Sequence, residues 1–341
     1  MLRLLFAGFG TVGQGLAELL LEGKEALARE CGLEWRVVGI SDMLKGSVYN
    51  PDGLDLARAL ETVKRGGSLN DLPDAWTGGD TLAMIRTVNA DVLLEATYTD
   101  IKTGEPATAH IREALDRGMH AVTSNKGPLA LHYNELRELA RLRGKHFLFE
   151  GTVMSGTPVL NLLRECLAGS GVREIKGILN GTTNYILTRM EEGLSYEAAL
   201  KKAQELGYAE AVPDADVLGW DALAKVTILA NVVFGATRKP FEYPCQGITE
   251  ITAEAIARAK TEGKRFKLIG RVWKDGNEVK ASVAPQEISL SHPLAGVMGA
   301  MNAATITSEA MGEVTVVGKG AGRKETGYSL LVDLIHIARC R

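Results

Sequence analysis

The chain reads as an α/β protein in two lobes: a doubly wound parallel sheet, then an α+β lobe with a mixed sheet. Three observations point there. The first residues run strand, glycine-rich turn, helix, strand. Strand-like and helix-like runs then alternate until about residue 150, the pattern of a sheet with helices on both faces. Beyond that the texture shifts to glycine-rich motifs, one long apolar helix and a hairpin signal.

Residues 2–7 form a short apolar run, the length of a buried parallel strand. It leads into Gly8-Phe9-Gly10-Thr11-Val12-Gly13. A helical stretch follows with Leu16, Leu19, Leu20 and Leu27 along it, and residues 35–40 form a second strand. That is the context a G-x-G-x-x-G dinucleotide turn requires. The first glycine permits the tight turn, the second lets the backbone approach a pyrophosphate, and the third lets helix and strand pack closely. The helix N-terminus offers N–H groups to the phosphates. The first lobe is therefore expected to be a Rossmann-type NAD(P)-binding domain. Further strands at 91–97 and 120–123 flank a helix at 107–117, and Thr97 and Ser124 stand at strand ends where a nicotinamide is expected. Nucleotide preference stays open. Asp42 suits a ribose 2′-hydroxyl, although it lies 29 residues after Gly13, and Lys45 suits a 2′-phosphate.

At 341 residues the chain is long enough for two domains. With 39 bases against 42 acids its formal charge is −3, which argues against a nucleic-acid or anionic-membrane coat. Cys31, Cys166, Cys245 and Cys340 show no CxxC spacing, so neither a disulfide scaffold nor a cysteine zinc site is expected. The six histidines form no HExxH motif. No run approaches the ~18 apolar residues of a spanning helix. The pattern suits a reducing cytoplasm, which also makes an intermolecular disulfide through Cys340 a minor expectation.

Residues 123–128 (TSNKGP) end one strand and open a helix, and Lys126 stands where a side chain can face a ligand crevice. The segment from Glu150 to Pro158 (EGTVMSGTP) is glycine-rich and reads as the crossing between lobes. In the second lobe a strand at 175–180 precedes Gly181-Thr182-Thr183-Asn184-Tyr185. A helix then breaks at Gly207-Tyr208, and an acidic segment carries Glu210 and Asp216. A long helix is expected over 218–234, with Leu218, Ala222, Val226, Leu229 and Val233 as its apolar stripe. On another face Asp221 and Lys225 stand at i and i+4, a spacing whose simplest reading is a surface ion pair worth a few tenths of a kcal/mol. Three acids beside one lysine also suit an ammonium group, leaving the lysine to trade a proton. Residues 266–273 and 278–285 flank the turn Lys274-Asp275-Gly276-Asn277, and residues 327–341 read as a final helix.

These motifs together resemble homoserine dehydrogenase over nearly the whole chain: GFGTVG, TSNKGPLAL, EGTVMSGTP, GILNGTTNYIL, LGYAEA, DADVLGWDALAK and GKGAGRKETG. The resemblance implies NAD(P)-dependent interconversion of L-aspartate 4-semialdehyde and L-homoserine. It makes Lys225 the catalytic lysine, Asp221 the acid beside it, and Lys126 the lysine near both nicotinamide and substrate. Glu210 then holds the substrate amino group, with Asp216, Gly181, Thr182 and Tyr208 in the substrate stretches. Gly8, Gly10, Thr11, Val12, Gly13, Thr97, Ser124, Lys126, Gly207 and Gly322 match nucleotide-contacting positions. Glu150, Val153, Ser155 and Thr157 match a loop whose oxygens hold a monovalent cation such as sodium, a hard ion suited to oxygen ligands. Two residues depart from the pattern: Val212 replaces an aspartate before Pro213, and Lys319 replaces a proline in the closing G-x-GAG.

By the same resemblance, residues 1–149 with 322–341 form the nucleotide domain and 150–321 the substrate and dimerisation domain. The expected assembly is a cytoplasmic homodimer, with no nucleic acid or membrane as partner and no C-terminal regulatory module. A free lysine, with a pKa of ~10.4, is a good acid and a poor base at neutral pH, so homoserine oxidation is expected to favour alkaline conditions. The competing readings are another amino-acid dehydrogenase on this plan and a non-catalytic NAD(P) sensor, and a sensor has no need of a proton-transfer lysine.

Overall fold

The computed structural model describes residues 1–73 and 76–340, so Arg341, the last residue of the expected final helix, lies outside the described residues. The chain divides into two compact units, Met1–Gly156 with Gly322–Arg341, and Thr157–Ala321.

In the first unit the elements run β1 (Leu2–Ala7), α1 (Thr11–Glu22), α2 (Lys24–Cys31), β2 (Trp35–Asp42), β3 (Gly46–Tyr49), α3 (Leu56–Lys64), β4 (Trp76–Thr77), α4 (Thr81–Thr87), β5 (Val92–Glu95), α5 (Ala107–Asp116), β6 (His120–Thr123), α6 (Lys126–Arg143) and β7 (Phe147–Leu148). They build a seven-stranded sheet in the order β4-β3-β2-β1-β5-β6-β7. The five strands from β2 to β7 are parallel, while β3 and β4 add an antiparallel edge. Alternate side chains of β1 face opposite layers, as the period of two requires. Leu2, Leu4 and Phe6 pack with Leu16 and Leu20 of α1. Leu5 and Ala7 pack with Met84 and Ile85 of α4 and Ala114 of α5. The single helix expected after the glycine turn is two helices, because Gly23 ends α1 and caps α2.

The second unit contains β8 (Val172–Ile178), α7 (Gly181–Glu191), α8 (Tyr196–Glu205), α9 (Asp214–Val217), α10 (Trp220–Phe234), α11 (Ala253–Thr261), β9 (Lys264–Asp275), β10 (Glu278–Ser289), β11 (Met301–Ser308) and β12 (Gly312–Lys319). Its five strands lie in the order β10-β9-β8-β11-β12. Each neighbouring pair is antiparallel, so the sheet is not mixed as expected. Connections this short allow antiparallel pairing, as at the two-residue turn Gly276-Asn277 between β9 and β10, where Gly276 has φ +61°. The helix expected over 218–234 is also interrupted. Gly219 takes φ +85° and separates α9 from α10, a conformation that glycine adopts without steric cost. Gly177 of β8 and Gly270 of β9 are paired neighbours. A Cβ on Gly270 would come within 2.6 Å of Val226 Cγ2 and 2.9 Å of Leu179 Cδ1, so α10 and Leu179 close onto the sheet there only because the side chain is absent.

The last helix, α12 (Arg323–Arg339), begins before the expected residue 327 and belongs to the first unit. Leu330 and Leu334 join the core beneath β1. Gly327 of α12 meets the backbone of Gly15 and Leu16 in α1, at 2.5 Å from Leu16 N for an added Cβ. Arg323 binds Glu18 and Gln14 across the same contact. Among the described residues no helix is long and apolar enough to cross a membrane. A methyl group at this crossing has nowhere to go. Gly327→Ala is therefore expected to lower stability by about 1–3 kcal/mol, the usual cost of overpacking, which thermal denaturation will measure.

Candidate active site

Each unit carries one constellation of expected site residues. In the first, β1 ends at the glycine turn. Gly8 has φ +92°, and a Cβ there would overlap Ala96 O and come within 2.9 Å of Thr97 N. A Cβ on Gly13 would lie 2.6 Å from Gly8 O. At Gly10, by contrast, nothing stands within 4 Å. Gly10 caps α1 without a side-chain bond, and no acid occupies the first turn, where Thr11, Val12 and Gly13 lie. The two outer glycines are thus required by packing and the middle one leaves open space beside N–H groups. That arrangement fits a dinucleotide pyrophosphate.

Asp42 and Lys45, which suggest opposite nucleotides, are bonded to each other at 3.5 Å. Asp42 Oδ2 accepts from Phe9 N (2.7 Å), and Oδ1 accepts from Leu44 N and Lys45 N (3.0 Å each). Burial alone would raise this carboxyl's pKa, but the Phe9 and Leu44 amides and the Lys45 ammonium outweigh it and hold the value below the ordinary range. Thr97 and Ser124 follow β5 and β6 at their carboxyl ends, and Lys126 is the first residue of α6, capped by Asn125. Gly322 has φ +140° and caps α12 beside the Glu325 carboxylate.

The loop from Glu150 is buried. Glu150 N donates to Asp333 Oδ2 at 3.0 Å, Val153 is fully enclosed, and Ser155 Oγ shares a 2.7 Å bond with Thr326 Oγ1. Met154 and Ser155 take φ of +61° and +57°, a left-handed backbone that costs non-glycine residues of order 1–3 kcal/mol each. Thr157, in the second unit, bonds the Lys319 carbonyl at 2.9 Å.

In the second unit, Lys225 Nζ donates to Asp221 Oδ2 (2.7 Å) and to Leu179 O (2.6 Å). The Lys225 side chain is 9% exposed and that of Asp221 19%. The i, i+4 pair is therefore not the surface pair its spacing suggested. Asn180, which the sequence reading passed over, organises the cluster. Its Nδ2 donates to Asp216 Oδ1 (2.6 Å) and Asp221 Oδ2 (3.0 Å), and its Oδ1 accepts from Thr183 N (2.9 Å) to cap α7. An asparagine just ahead of a helix was the available signal.

Thr182 Oγ1 donates to Tyr208 O at 2.5 Å, and the Tyr208 ring lies 5.1 Å from that of Tyr185. Gly181 opens α7, where a Cβ would lie 2.7 Å from Ala300 O. Gly207, at φ +75°, donates to Gln204 O as α8 ends. Glu210 is exposed, its carbonyl accepts from Gln204 Nε2, and no hydrogen bond among the described residues joins its carboxylate to the Asp216–Asp221–Lys225 cluster. Val212 is exposed.

Burial raises the Asp216 carboxyl pKa, and the neighbouring Asp221 charge adds to it, against the lowering effect of the Asn180 bond and Lys225. A raised acid binds its proton more tightly in the folded state, so stability falls as pH rises through that window and the penalty persists above it. Asp216→Asn removes it while keeping an acceptor for Asn180. The variant is expected to melt higher than the parent at pH 7, with the gain shrinking under acid conditions where Asp216 itself is protonated; melting curves across pH will check this.

Two family models match the chain: "Homoserine dehydrogenase, NAD binding domain" over residues 8–150 and "Homoserine dehydrogenase" over residues 158–335. An NAD(+)-dependent homoserine dehydrogenase of Pseudomonas canavaninivorans is 45% identical over 336 residues, covering 98% of this chain and 96% of that protein. A candidate homoserine dehydrogenase from Archaeoglobus fulgidus superposes with a TM-score of 0.90 at 40% identity, covering 99% of both chains. A hyperthermophilic archaeal homoserine dehydrogenase in complex with NADPH gives a TM-score of 0.85 at 32% identity, covering 100% of this chain and 98% of that one. With the uncapped glycine turn in one unit and the buried lysine–acid cluster in the other, the chain belongs to the homoserine dehydrogenase family.

Proposed function

We propose that Lys225 is the proton-transfer residue in the NAD(P)-dependent interconversion of L-aspartate 4-semialdehyde and L-homoserine. The observation that carries this is the state of its ammonium group. Two of its three N–H groups are engaged, by Asp221 and the Leu179 carbonyl, so among the described residues the third is left for a substrate oxygen. Bound NAD(P) supplies or receives the hydride. Reduction leaves negative charge on the former carbonyl oxygen, and Lys225 gives it a proton; oxidation of homoserine reverses that transfer. Asp221 keeps the lysine stem in one orientation, and Asn180 keeps Asp221 in place.

Glu210, exposed on its loop, binds the substrate ammonium group, and Asp216, Gly181, Thr182 and Tyr208 complete the substrate segment. Gly8 to Gly13, Thr97, Ser124, Lys126, Gly207 and Gly322 serve the dinucleotide. The oxygens of Glu150, Val153, Ser155 and Thr157, backbone carbonyls together with the Glu150 carboxylate, serve a monovalent cation such as sodium. The enzyme works as a cytoplasmic homodimer, which sedimentation equilibrium will test.

A spectrophotometric assay with homoserine, run with NAD and NADP in parallel, tests the reading. Lys225→Ala is expected to lower kcat about 10²–10⁴-fold, the usual range for a lost proton-transfer group, while dinucleotide binding persists. Substantial residual turnover removes Lys225 from the mechanism. Glu210→Gln is expected to raise the homoserine KM more than it lowers kcat; a pure kcat loss would move Glu210 into the chemical step.

A further inference from the structure

Glu95 is the last residue of β5 and is fully buried. Its carboxylate accepts hydrogen bonds at both oxygens. Oε1 takes the Thr97 amide (3.1 Å) and the Thr97 hydroxyl. Oε2 takes the Thr123 hydroxyl (2.9 Å) from the end of β6. The neighbouring His110 Nδ1 stands 3.8 Å away, beyond hydrogen-bond distance.

The Thr123 hydroxyl is itself engaged on its other side. Its oxygen accepts from Asn125 N at 2.9 Å. Asn125 then caps α6 through Gly127 N (3.1 Å) and donates from Nδ2 to Tyr98 O (2.8 Å) and Thr97 O (3.4 Å). The chain of donors therefore runs one way, from the Asn125 amide through the Thr123 hydroxyl to Glu95. It closes a ring that holds two strand ends together: residues 95–98, which pack on Gly8 of the glycine turn, and residues 123–127, which carry Ser124 and Lys126.

We infer that Glu95 is a positioning residue for hydride transfer, acting through Thr97 and through the Thr123–Asn125 link to Lys126. This rests on the reading that Thr97 and Lys126 serve the nicotinamide end of the dinucleotide. An acceptor at both oxygens is what the ring needs. Glutamine can keep one oxygen on Thr97, but its Nε2 then donates to the Thr123 hydroxyl, which reverses the link and takes away the acceptor of the Thr123 proton with almost no change in volume. Charge-assisted bonds to a carboxylate are also stronger than their neutral counterparts. Small losses of alignment at a reacting centre cost far more in rate than in affinity.

The test is steady-state kinetics of homoserine oxidation and NAD(P)H binding by fluorescence in E95Q, T123V, K126A and the double variant E95Q/K126A. E95Q and T123V are each expected to lower kcat at least tenfold, with the homoserine KM within twofold and NAD(P)H affinity within about fivefold. A merely structural role would lower the melting temperature without this split between kcat and KM. In the K126A background, E95Q is expected to cost at least fivefold less than it does alone, because part of its effect passes through Lys126. Wild-type kcat in E95Q overturns the inference, as does a full additive loss in the double variant. Wild-type kcat in K126A instead overturns the reading of Lys126 on which the inference rests. Should E95Q fail to fold, T123V, which leaves the acid in place, is judged by the same criteria.

Discussion

A lysine ammonium held almost out of solvent between one carboxylate and one carbonyl is the constraint around which the second unit is arranged. Lys225 makes 2.7 and 2.6 Å bonds to Asp221 and Leu179 O. Removing one partner from such a buried pair costs about 3–5 kcal/mol, because the remaining charge is left uncompensated. Both partners therefore have to be delivered by the fold. Asp221 comes from the preceding turn of α10. Leu179 comes from the end of β8, where the paired Gly177 and Gly270 open the sheet surface and allow it to approach Val226 and α10. The placement of Leu179 against Lys225 thus depends on two residues with no side chain at all.

The first unit solves a different problem with the same residue type. A dinucleotide turn needs unspent N–H groups, but those groups must not collapse onto neighbouring carbonyls. The backbone of Ala96 crowds Gly8, and Gly8 O crowds Gly13, so the turn is wedged from both sides while Gly10 stays open. Asp42 contributes by taking the Phe9 amide. This engages the two charges that argued for opposite nucleotides with each other and with the backbone.

Much of this was legible in the chain. The strand–glycine–helix–strand order needs only local periodicity and three glycines, and β1, α5 and β6 lie where their apolar patterns put them. The family was legible through motif resemblance. What escaped depended on contacts distant in sequence. An i, i+4 Asp–Lys pair has the same spacing in water as in a core, and contacts distant in sequence, Leu179 O on Lys225 and Asn180 on Asp221, make the difference. The antiparallel pairing of β8 with β11 joins segments more than a hundred residues apart, and β11 and β12 carry small and polar residues rather than a strong apolar alternation. The break at Gly219 lies inside a run whose apolar period continues through it, so helix periodicity hides the residue that ends the helix.

Asn125 and Asn180 show why a short amide recurs at both centres. Each stands at a strand-to-helix junction, before α6 and α7 respectively. Each uses Oδ1 to cap its helix, on Gly127 N and Thr183 N. That leaves Nδ2 free to donate, to Tyr98 O in one unit and to Asp216 and Asp221 in the other. Serine or threonine caps a helix as well, but has a single hydroxyl for both tasks. Aspartate would cap too, yet at position 180 it would set a third carboxylate against two acids that need a donor. A side chain with an acceptor and a two-hydrogen donor on one carbon can end a strand, start a helix and hold a neighbouring segment in the same step. Asparagine is the shortest residue that meets all three demands.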